Sequence, residues 1–486
     1  MPVDLPLTGE STRSTSAFGR AVLADALEPL DPIGARAARA ETSWRSGYLP
    51  HFRRQVEAGV GAPERARESA RAGLASVADR VVDTGPDGDV PLREALAGGT
   101  AGGPATPGTL TVEGTGAAAE VLAVPYRGRV LTGSDLAHRL DEWEEDGVLE
   151  PSATDALREV AAHPEWLSLP GRVVVALGVG SEIGPAPTLL SWGATVAGVD
   201  LPREQLWTRV LGQAAGSAGR LLAPVRAGEG PDAERAGLDL LADLPAVAAW
   251  LRTLPAPEQG LVLGNYVYAD GGTNLRLSAA TDALATAVQA ERPDTVLAYM
   301  ATPTDVFAVP ADAVEHSVRA YESRGRVARG PGRLLRSVTA GRLLARNYLP
   351  GSDPGICDSL VPQQGPNYAL GKRLHRWRAT AERAEGRRVS MNVAPPTRTH
   401  SVVKNKALAA AYAGAHRFGV EVFEPDTTRA LMAALLVHDL MTDVPAPAEP
   451  WREEARHAVH GGLWRAAYAP RSALGLAAVL GYGSLR

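Results

Sequence analysis

Short apolar runs alternate with stretches of helical periodicity from Pro170 onwards. The first run, GRVVVALGVG from Gly171, is almost continuously apolar and ends in glycines, which is typical of a strand buried on both faces of a parallel sheet. Similar runs predict six strands: Arg172–Leu177, Thr195–Val199, Arg220–Val225, Gly260–Val267, Thr295–Met300 and Arg388–Val393. The stretches between them predict helices near Pro202–Ala215, Asp232–Leu251 and Ser278–Glu291. This alternation predicts an α/β fold with a doubly wound parallel sheet.

The rest of the chain carries weaker signals. Helical periodicity covers about Ala21 to Arg80, and two more helices are expected over Ser134–Asp146 and Ser152–His163. The Gly-, Pro- and Thr-rich segment Leu96–Gly116 predicts a loop or linker, and EVLAVPYRGRVLTG after it predicts two short strands around a turn. Arginine-rich helices near Ala311–Arg324 and Arg333–Tyr348 are expected to fill a long insertion before the sixth strand.

These patterns divide the chain into three parts. We expect a mainly helical accessory region over 1–165, docked beside the sheet and covering part of the substrate crevice. The α/β domain should occupy 166–445, and 446–486 should form a C-terminal extension.

Composition narrows the class of protein. The net charge of -5 gives no electrostatic reason to expect nucleic acid binding. One cysteine, Cys357, fits a reducing compartment, the first residues lack an apolar core, and the apolar run Ser472–Tyr482 is too short to cross a bilayer. The ten histidines show no metal-ligand spacing, so no metal site is expected. We therefore expect a cytoplasmic protein with a small-molecule substrate, no membrane span and possible self-association.

A glycine turn follows the first predicted strand. Gly178, Gly180 and Gly184 form a GxGxxxG pattern that includes Ser181, and such a turn lets a backbone approach a pyrophosphate closely. The second strand ends at Asp200, where an acid can accept hydrogen bonds from a ribose. This acid favours NAD, whereas Arg203 nearby leaves NADP open. The alternative interpretation is that Asp200 caps the helix that starts near Pro202.

A tyrosine and a lysine stand one helical turn apart in Tyr368-Ala-Leu-Gly-Lys372. The chain carries nearly all its positive charge as arginine, with lysine only at 372, 404 and 406. Residues four apart share a helix face, so the ammonium is expected to lower the pKa of the phenol towards neutral. Tyr368 would then exchange a proton with an alcohol or carbonyl, and Lys372 would also hold ribose hydroxyls. The alternative is an ordinary contact on a helix surface.

The glycine turn, Asp200, YxxxK and the later VSMNVAPPTRT resemble, in this order, the short-chain dehydrogenase/reductase family, whose domain is a Rossmann fold. The resemblance covers about residues 168–445. It implies that Thr399 binds the carboxamide of nicotinamide and that Val393 to Pro396, including Pro395, line the nicotinamide side. The glycine spacing departs from the TGxxxGxG of the family, and Pro396 stands where the family has glycine.

The serine that the family uses beside its tyrosine has no obvious counterpart. By position the candidates are Thr302 and Thr304 at the end of the fifth strand, or Asp358 and Ser359 before Tyr368. We favour Thr302, because a hydroxyl at the carboxyl end of a strand can face the cofactor crevice.

The sequence therefore predicts an NAD(P)-dependent oxidoreductase that transfers hydride between nicotinamide and a carbonyl or secondary alcohol, with Tyr368 as acid/base. Two alternatives stay open. One is a dinucleotide-binding protein without catalysis, and the other is a methyltransferase that uses S-adenosylmethionine.

Overall fold

The structure is a computed structural model, and it describes residues 2–9, 12–85, 88–97, 106–255, 257–323 and 343–483. Its first part is mainly helical, as the periodicity predicts. In chain order its elements are β1 (Val3–Asp4), α1 (Thr15–Leu27), α2 (Pro32–Ala40), α3 (Trp44–Gly59), α4 (Pro63–Ala78), β2 (Val82–Gly85), β3 (Gly88–Pro91) and α5 (Leu92–Ala97). Asp31 begins α2 by accepting the amide of Gly34, just before a proline at the first helical position.

The second part joins this helical region to the parallel strands. It contains β4 (Gly108–Glu113), β5 (Val124–Tyr126), β6 (Arg129–Leu131), α6 (Gly133–Glu145) and α7 (Pro151–Ala162). The two short strands and both helices lie where the sequence predicts them. The loop predicted over Leu96–Gly116 is wrong at 108–113, because the backbone there pairs antiparallel with residues 220–225 and forms the edge of the central sheet.

The α/β part follows with regular alternation. Its elements are β7 (Val173–Leu177), α8 (Ala186–Ser191), β8 (Thr195–Val199), α9 (Glu204–Ala215), β9 (Arg220–Val225), α10 (Asp232–Arg235), α11 (Leu244–Thr253), β10 (Leu261–Asn265), α12 (Gly271–Glu291) and β11 (Val296–Ala301). Each predicted strand agrees with the observed one to within two residues at either end. The single helix expected over Asp232–Leu251 is instead two, α10 and α11, with Pro245 in the first turn of the second.

The last part completes the sheet. It comprises β12 (Val306–Val309), α13 (Ala311–Glu322), β13 (Gly355–Asp358), α14 (Pro366–Ala384), β14 (Val389–Val393), α15 (His400–Lys404), α16 (Lys406–Gly414), α17 (Pro425–Met441), α18 (Pro450–Ala455) and α19 (Pro470–Tyr482). The helix α13 confirms one of the two helices predicted in the insertion. The other, near Arg333–Tyr348, lies mostly outside the described residues, and its described end, 343–348, is not helical.

The central sheet has seven strands in the order β14-β11-β10-β7-β8-β9-β4. All neighbours run parallel except β4, which is antiparallel to β9. The six parallel strands thus take the order of a doubly wound, Rossmann-like sheet, as the sequence predicts. The strand order reverses between β7 and β10, and ligands of such sheets bind beside the carboxyl ends of the strands at this point.

Both faces of the sheet are covered. Side chains alternate along β7, so Val173, Val175 and Leu177 pack into one core with helices of the N-terminal part, α12 and α14. The intervening residues of β7, Val174 and Ala176, pack into a second core with α6, α7 and α17. Burial on both sides explains why the strands are nearly continuous apolar runs. Among the described helices, none is both long and apolar enough to cross a membrane.

Candidate functional site

The glycine turn lies at the carboxyl end of β7, beside the point where the strand order reverses. Gly178 adopts a positive φ of 83°, and a Cβ there would come within 3.0 Å of the backbone of Val267. Glycine is therefore required by the close approach of two protein backbones. The amides of Glu182 and Ile183, later in the turn, have no hydrogen-bond partner among the described residues. Adjacent free amides of this kind can bind an anion.

Asp200 ties the end of β8 to this turn. Its carboxylate accepts hydrogen bonds from the amides of Gly180 at 2.9 Å and Leu201 at 2.8 Å. Burial raises the pKa of Asp200. The alternative that Asp200 caps a helix is wrong, because α9 begins at Glu204 and Arg203 holds its N-cap position. The exposed Arg203 and Arg209 lie close enough for their charges to oppose the rise in the Asp200 pKa.

The helix after the glycine turn is short. It begins at Ala186, two residues beyond Gly184, and ends at Ser191. Pro185 and Pro187 carry no N–H, so the start of α8 offers few amides to an anion. Anion binding here would depend more on the turn itself than on the helix.

The YxxxK pair lies on α14, as the spacing predicts, and Tyr368 meets Thr302. The phenol lies near the Thr302 side chain, which comes directly after β11 and lowers the pKa of the phenol. Lys372 lies one turn further, with Nζ 6.0 Å from the centre of the Tyr368 ring. Its ammonium donates a hydrogen bond to the carbonyl of Met300 at 3.2 Å. The structure thus brings these three predicted side chains together.

The predicted effect of Lys372 on the phenol is wrong for this structure. The pKa of Tyr368 is raised, because burial outweighs the effect of Thr302. Lys372 directs its charge at the Met300 carbonyl, and burial lowers its own pKa to about 8. Tyr368 is consequently protonated at neutral pH, so in this state it can donate a proton but not accept one.

Thr302 is the best placed of the four candidate hydroxyl and carboxyl groups. Its Oγ1 lies 2.8 Å from that of Thr304, which in turn accepts a hydrogen bond from Gln364 at 2.7 Å. Ser359 is buried and contacts Cys357, and Asp358 forms ion pairs with Arg471 and Arg53 instead of facing Tyr368.

A buried ion-pair network holds this arrangement together. Asp305, three residues after Thr302, accepts hydrogen bonds from Arg373 and Arg376 of α14, each at 2.7 Å. Arg373 and Arg376 lie on the helix that carries Tyr368 and follow it along the chain. The network therefore fixes the position of α14 against the end of β11. A lone Asp and two Arg gave no sign of this role in the sequence.

Aromatic side chains surround the phenol. The ring of Tyr268 meets that of Tyr368 edge-on with centroids 6.1 Å apart, and the Tyr268 hydroxyl donates to Asp270 at 2.8 Å. Tyr268 is 54% exposed, so this side of the site is open to solvent. Tyr412, from α16, also lies near Tyr368, and burial raises the pKa of Tyr412 to about 12.

A second buried polar group lies behind Lys372. His375, one turn further along α14, stacks on Tyr299 with centroids 5.2 Å apart, and its Nε2 lies 3.1 Å from Nδ2 of Asn265. Burial lowers the pKa of His375 well below its usual range. His375 was not among the predicted site residues, although it lies three residues after Lys372 and therefore on the same helix face.

The segment after β14 reaches the glycine turn. Thr399 is half-buried, contacts Ser401 and precedes α15, while Pro395 and Pro396 are buried. Next to Thr399, His400 contacts the carboxylate of Glu182 through both its amide and its ring nitrogen, each at 2.9 Å. Thr399 therefore lies beside the turn that holds Gly178, Gly180, Ser181 and Gly184.

Comparisons with known proteins give little beyond this geometry. No protein-family model matches the chain, and no curated protein matches it. One similar solved structure is described as "Structure of A1-type ketoreductase", with 16% sequence identity and a TM-score of 0.30. The match covers 56% of this chain and 46% of that chain, so this chain spans less than half of that protein. A likeness at this TM-score carries no argument about function.

Proposed function

We propose that the chain is an NAD(P)-dependent oxidoreductase that transfers hydride between a nicotinamide and a carbonyl or secondary alcohol. The observation that carries this proposal is the meeting of Tyr368, Thr302 and Lys372 at the carboxyl edge of the sheet. These three side chains come from β11 and α14, and they stand beside the strand reversal where ligands of such sheets bind.

The residues present fit a dinucleotide. The free amides of Glu182 and Ile183 would face its phosphates, Asp200 its adenosine ribose, and Thr399 with Pro395 its nicotinamide end. The bound cofactor would supply or accept the hydride. Arg203 is exposed beside Asp200 and would contact a 2′-phosphate, so both NAD and NADP fit.

The protein's part in the reaction is to move a proton. In the direction of reduction, hydride arrives at the carbonyl carbon while Tyr368 gives its phenolic proton to the carbonyl oxygen, which leaves an alcohol and a phenolate. Thr302 lies near the phenol and stabilises the phenolate that forms. Lys372, whose ammonium donates to the Met300 carbonyl, would hold ribose hydroxyls of the cofactor. A raised pKa in the resting protein suits this direction, because the phenol starts protonated.

A binding test comes first. Thermal unfolding of the full chain should shift upwards with NAD(H) or NADP(H) but not with S-adenosylmethionine, because a ligand that binds only the folded state stabilises it by mass action. A shift with S-adenosylmethionine alone would support a methyltransferase and contradict the proposal. If none of the four nicotinamide dinucleotides raises the unfolding temperature, that result would also contradict the proposal.

Turnover separates an enzyme from a binding protein. Reduced cofactor should be oxidised in the presence of at least one member of a panel of ketones and aldehydes, and Tyr368→Phe should stop this. Two sequence features favour the runner-up, a dinucleotide-binding protein without catalysis: the glycine spacing departs from that of the short-chain dehydrogenases, and Pro396 stands where that family has glycine. Binding without turnover over the whole panel would support that alternative.

A further inference from the structure

A second cluster of polar side chains lies against the edge strand β14, outside the site described above. His438 and Asp439 stand in the last turn of α17, and His457 follows α18. One ligand atom from each of the three side chains lies within 4.8 Å of the others. Both imidazoles are buried, with exposures of 5% for His438 and 7% for His457.

The potential ligand atoms of these three side chains lie close together. Asp439 Oδ1 lies 3.1 Å from Nδ1 of His457 and 3.7 Å from Nδ1 of His438. The second distance is too long for a hydrogen bond, so Nδ1 of His438 is a buried nitrogen without a hydrogen-bond partner among the described residues. Tetrahedral zinc with ligands at about 2.0–2.1 Å would separate them by about 3.3 Å. The two spacings from Asp439 bracket this value, and all three ligand atoms lie within 4.8 Å of one another.

Each of two ligands has a partner that would orient it. Nε2 of His438 lies 3.1 Å from the carboxylate of Glu159 on α7, which leaves Nδ1 as the nitrogen that faces Asp439. The other oxygen of Asp439 accepts hydrogen bonds from Ser390 and Asn392 of β14, each at 2.7 Å. Metal-binding histidines almost always donate their second nitrogen to such a carboxylate, and binding carboxylates are themselves hydrogen-bonded.

His457 is held in place by its backbone. It takes a positive φ of 54°, which is uncommon for a residue with a side chain, and its amide donates to Oγ of Ser152. Strained backbone of this kind persists only where the surroundings enforce it, and it is frequent at ligand sites. In this conformation the His457 ring contacts Asp439.

A cleft gives access to the cluster. Asp439, His457, Asn392, Arg388 and Arg456 are among its lining residues. A metal ion could enter here, and water could occupy a fourth coordination position from this side. Of the two nitrogen ligands, His457 borders the cleft, whereas His438 approaches from within the protein.

We propose that His438, Asp439 and His457 bind a divalent transition metal, of which Zn²⁺ is the expected ion. Two imidazoles and one carboxylate are a donor set that transition metals prefer, whereas Mg²⁺ and Ca²⁺ require oxygen ligands. The site stands apart from Tyr368, since it faces Ser390 and Asn392 within β14 while Thr302 and Thr399 lie beyond the carboxyl ends of the strands. The proposal is independent of the proposed redox activity.

Zinc binding to the full chain tests it directly. After removal of metal with a chelator, calorimetric titration with Zn²⁺ should show one tight site per chain, and Mg²⁺ should show none. His457→Gln and His438→Gln should each weaken Zn²⁺ binding at least about a hundredfold, and Glu159→Gln about tenfold. His163→Gln is the matched control, because His163 is an exposed histidine that also lies beside a glutamate, and it should bind as wild type. Wild-type affinity in either ligand variant, or absence of binding in wild type, would overturn the proposal.

A measurement on the wild-type chain covers the case in which a ligand variant does not fold. X-ray absorption of the zinc-loaded protein should show nitrogen and oxygen ligands at about 2.0–2.1 Å, with the scattering of two imidazoles and no sulfur. A spectrum with sulfur, or with fewer than two imidazoles, would place the zinc elsewhere and contradict the assignment.

Discussion

Glu182 and His400 lie 218 residues apart in the chain and meet at 2.9 Å. The first belongs to the glycine turn after β7, and the second begins the helix after β14. Their contact joins the two segments that would enclose the phosphates and the nicotinamide of a dinucleotide. The His400 side chain is 87% exposed, so water and salt can compete for this contact.

His400→Ala should therefore change ligand binding more than stability. The variant removes the exposed ring contact and keeps the backbone amide contact, so the free energy of unfolding should change by less than about 1 kcal/mol. Dissociation of the bound dinucleotide should become several-fold faster, since the segment carrying Thr399 is less firmly held. Stopped-flow displacement measures this rate, and His416→Ala is the control on another exposed histidine. An unchanged dissociation rate would show that the contact does not help to enclose the ligand.

Tyr368→Phe should reduce turnover at least about a hundredfold, as expected for loss of a group that donates a proton. Cofactor affinity should change little, because the ring and its edge-on contact with Tyr268 are kept. Steady-state kinetics and calorimetry on the same preparation separate the two effects. Tyr482→Phe removes an exposed hydroxyl and serves as control. Full activity of Tyr368→Phe on an authentic substrate would exclude the proposed mechanism.

Asp200→Ala should weaken NAD binding more than NADP binding. The change removes the proposed partner of the adenosine ribose and also the charge that would repel a 2′-phosphate. It leaves the Gly180 amide without its present acceptor and leaves Arg203 in place. Titration with both cofactors gives the ratio of their dissociation constants, which should shift towards NADP. Equal affinities before and after the change would mean that Asp200 serves only the turn.

Lys372→Met removes a buried ammonium, and this should change the pH dependence of the free energy of unfolding. Burial lowers the pKa of Lys372 from 10.5 to about 8, so between these pH values the unfolded chain binds the proton that the folded chain has lost. The contribution of this group to the free energy of unfolding therefore rises with pH across that window and is constant below it. Urea unfolding of wild type should show this rise relative to Lys372→Met. The exposed Lys404→Met should follow wild type, and parallel curves for all three proteins would contradict the assignment.

Asp305→Ala should destabilise the fold strongly, because it leaves buried guanidinium groups of Arg373 and Arg376 without that partner. Breaking a buried pair in this way costs about 3–5 kcal/mol. Turnover should fall too, since the network holds Tyr368 against Thr302. Asp141→Ala breaks an exposed pair with Arg158 and should cost less than about 1 kcal/mol. Similar denaturation midpoints for the two variants would show that the network contributes no more than a surface pair.

The sheet could be predicted because its strands are buried on both faces. Runs such as Thr195–Val199 and Arg220–Val225 carry no polar side chain after their first residue, and their ends coincide with the observed strands. The strand Gly108–Glu113 escaped prediction for the opposite reason. It forms an edge with exposed threonines, so its apolar positions are few and its Gly- and Pro-rich surroundings suggest a loop.

The candidate site was predictable where it depends on local spacing. Tyr368 and Lys372 share a helix face because they are four residues apart, whatever the rest of the chain does. The pKa of Tyr368 depends instead on burial by elements far away in the sequence, and no local pattern carries that information. The cluster of His438, Asp439 and His457 depends in the same way on where α17 and α18 pack.

The antiparallel strand β4 is synthesised well before it can join the sheet. Residues 108–113 leave the ribosome before any of the parallel strands, yet their partner, 220–225, follows about a hundred residues later. Until then the strand has no neighbour in the sheet, and its polar Thr109, Thr111 and Glu113 protect it from pairing with other chains. That edge of the sheet can therefore form only after residues 220–225 have been synthesised.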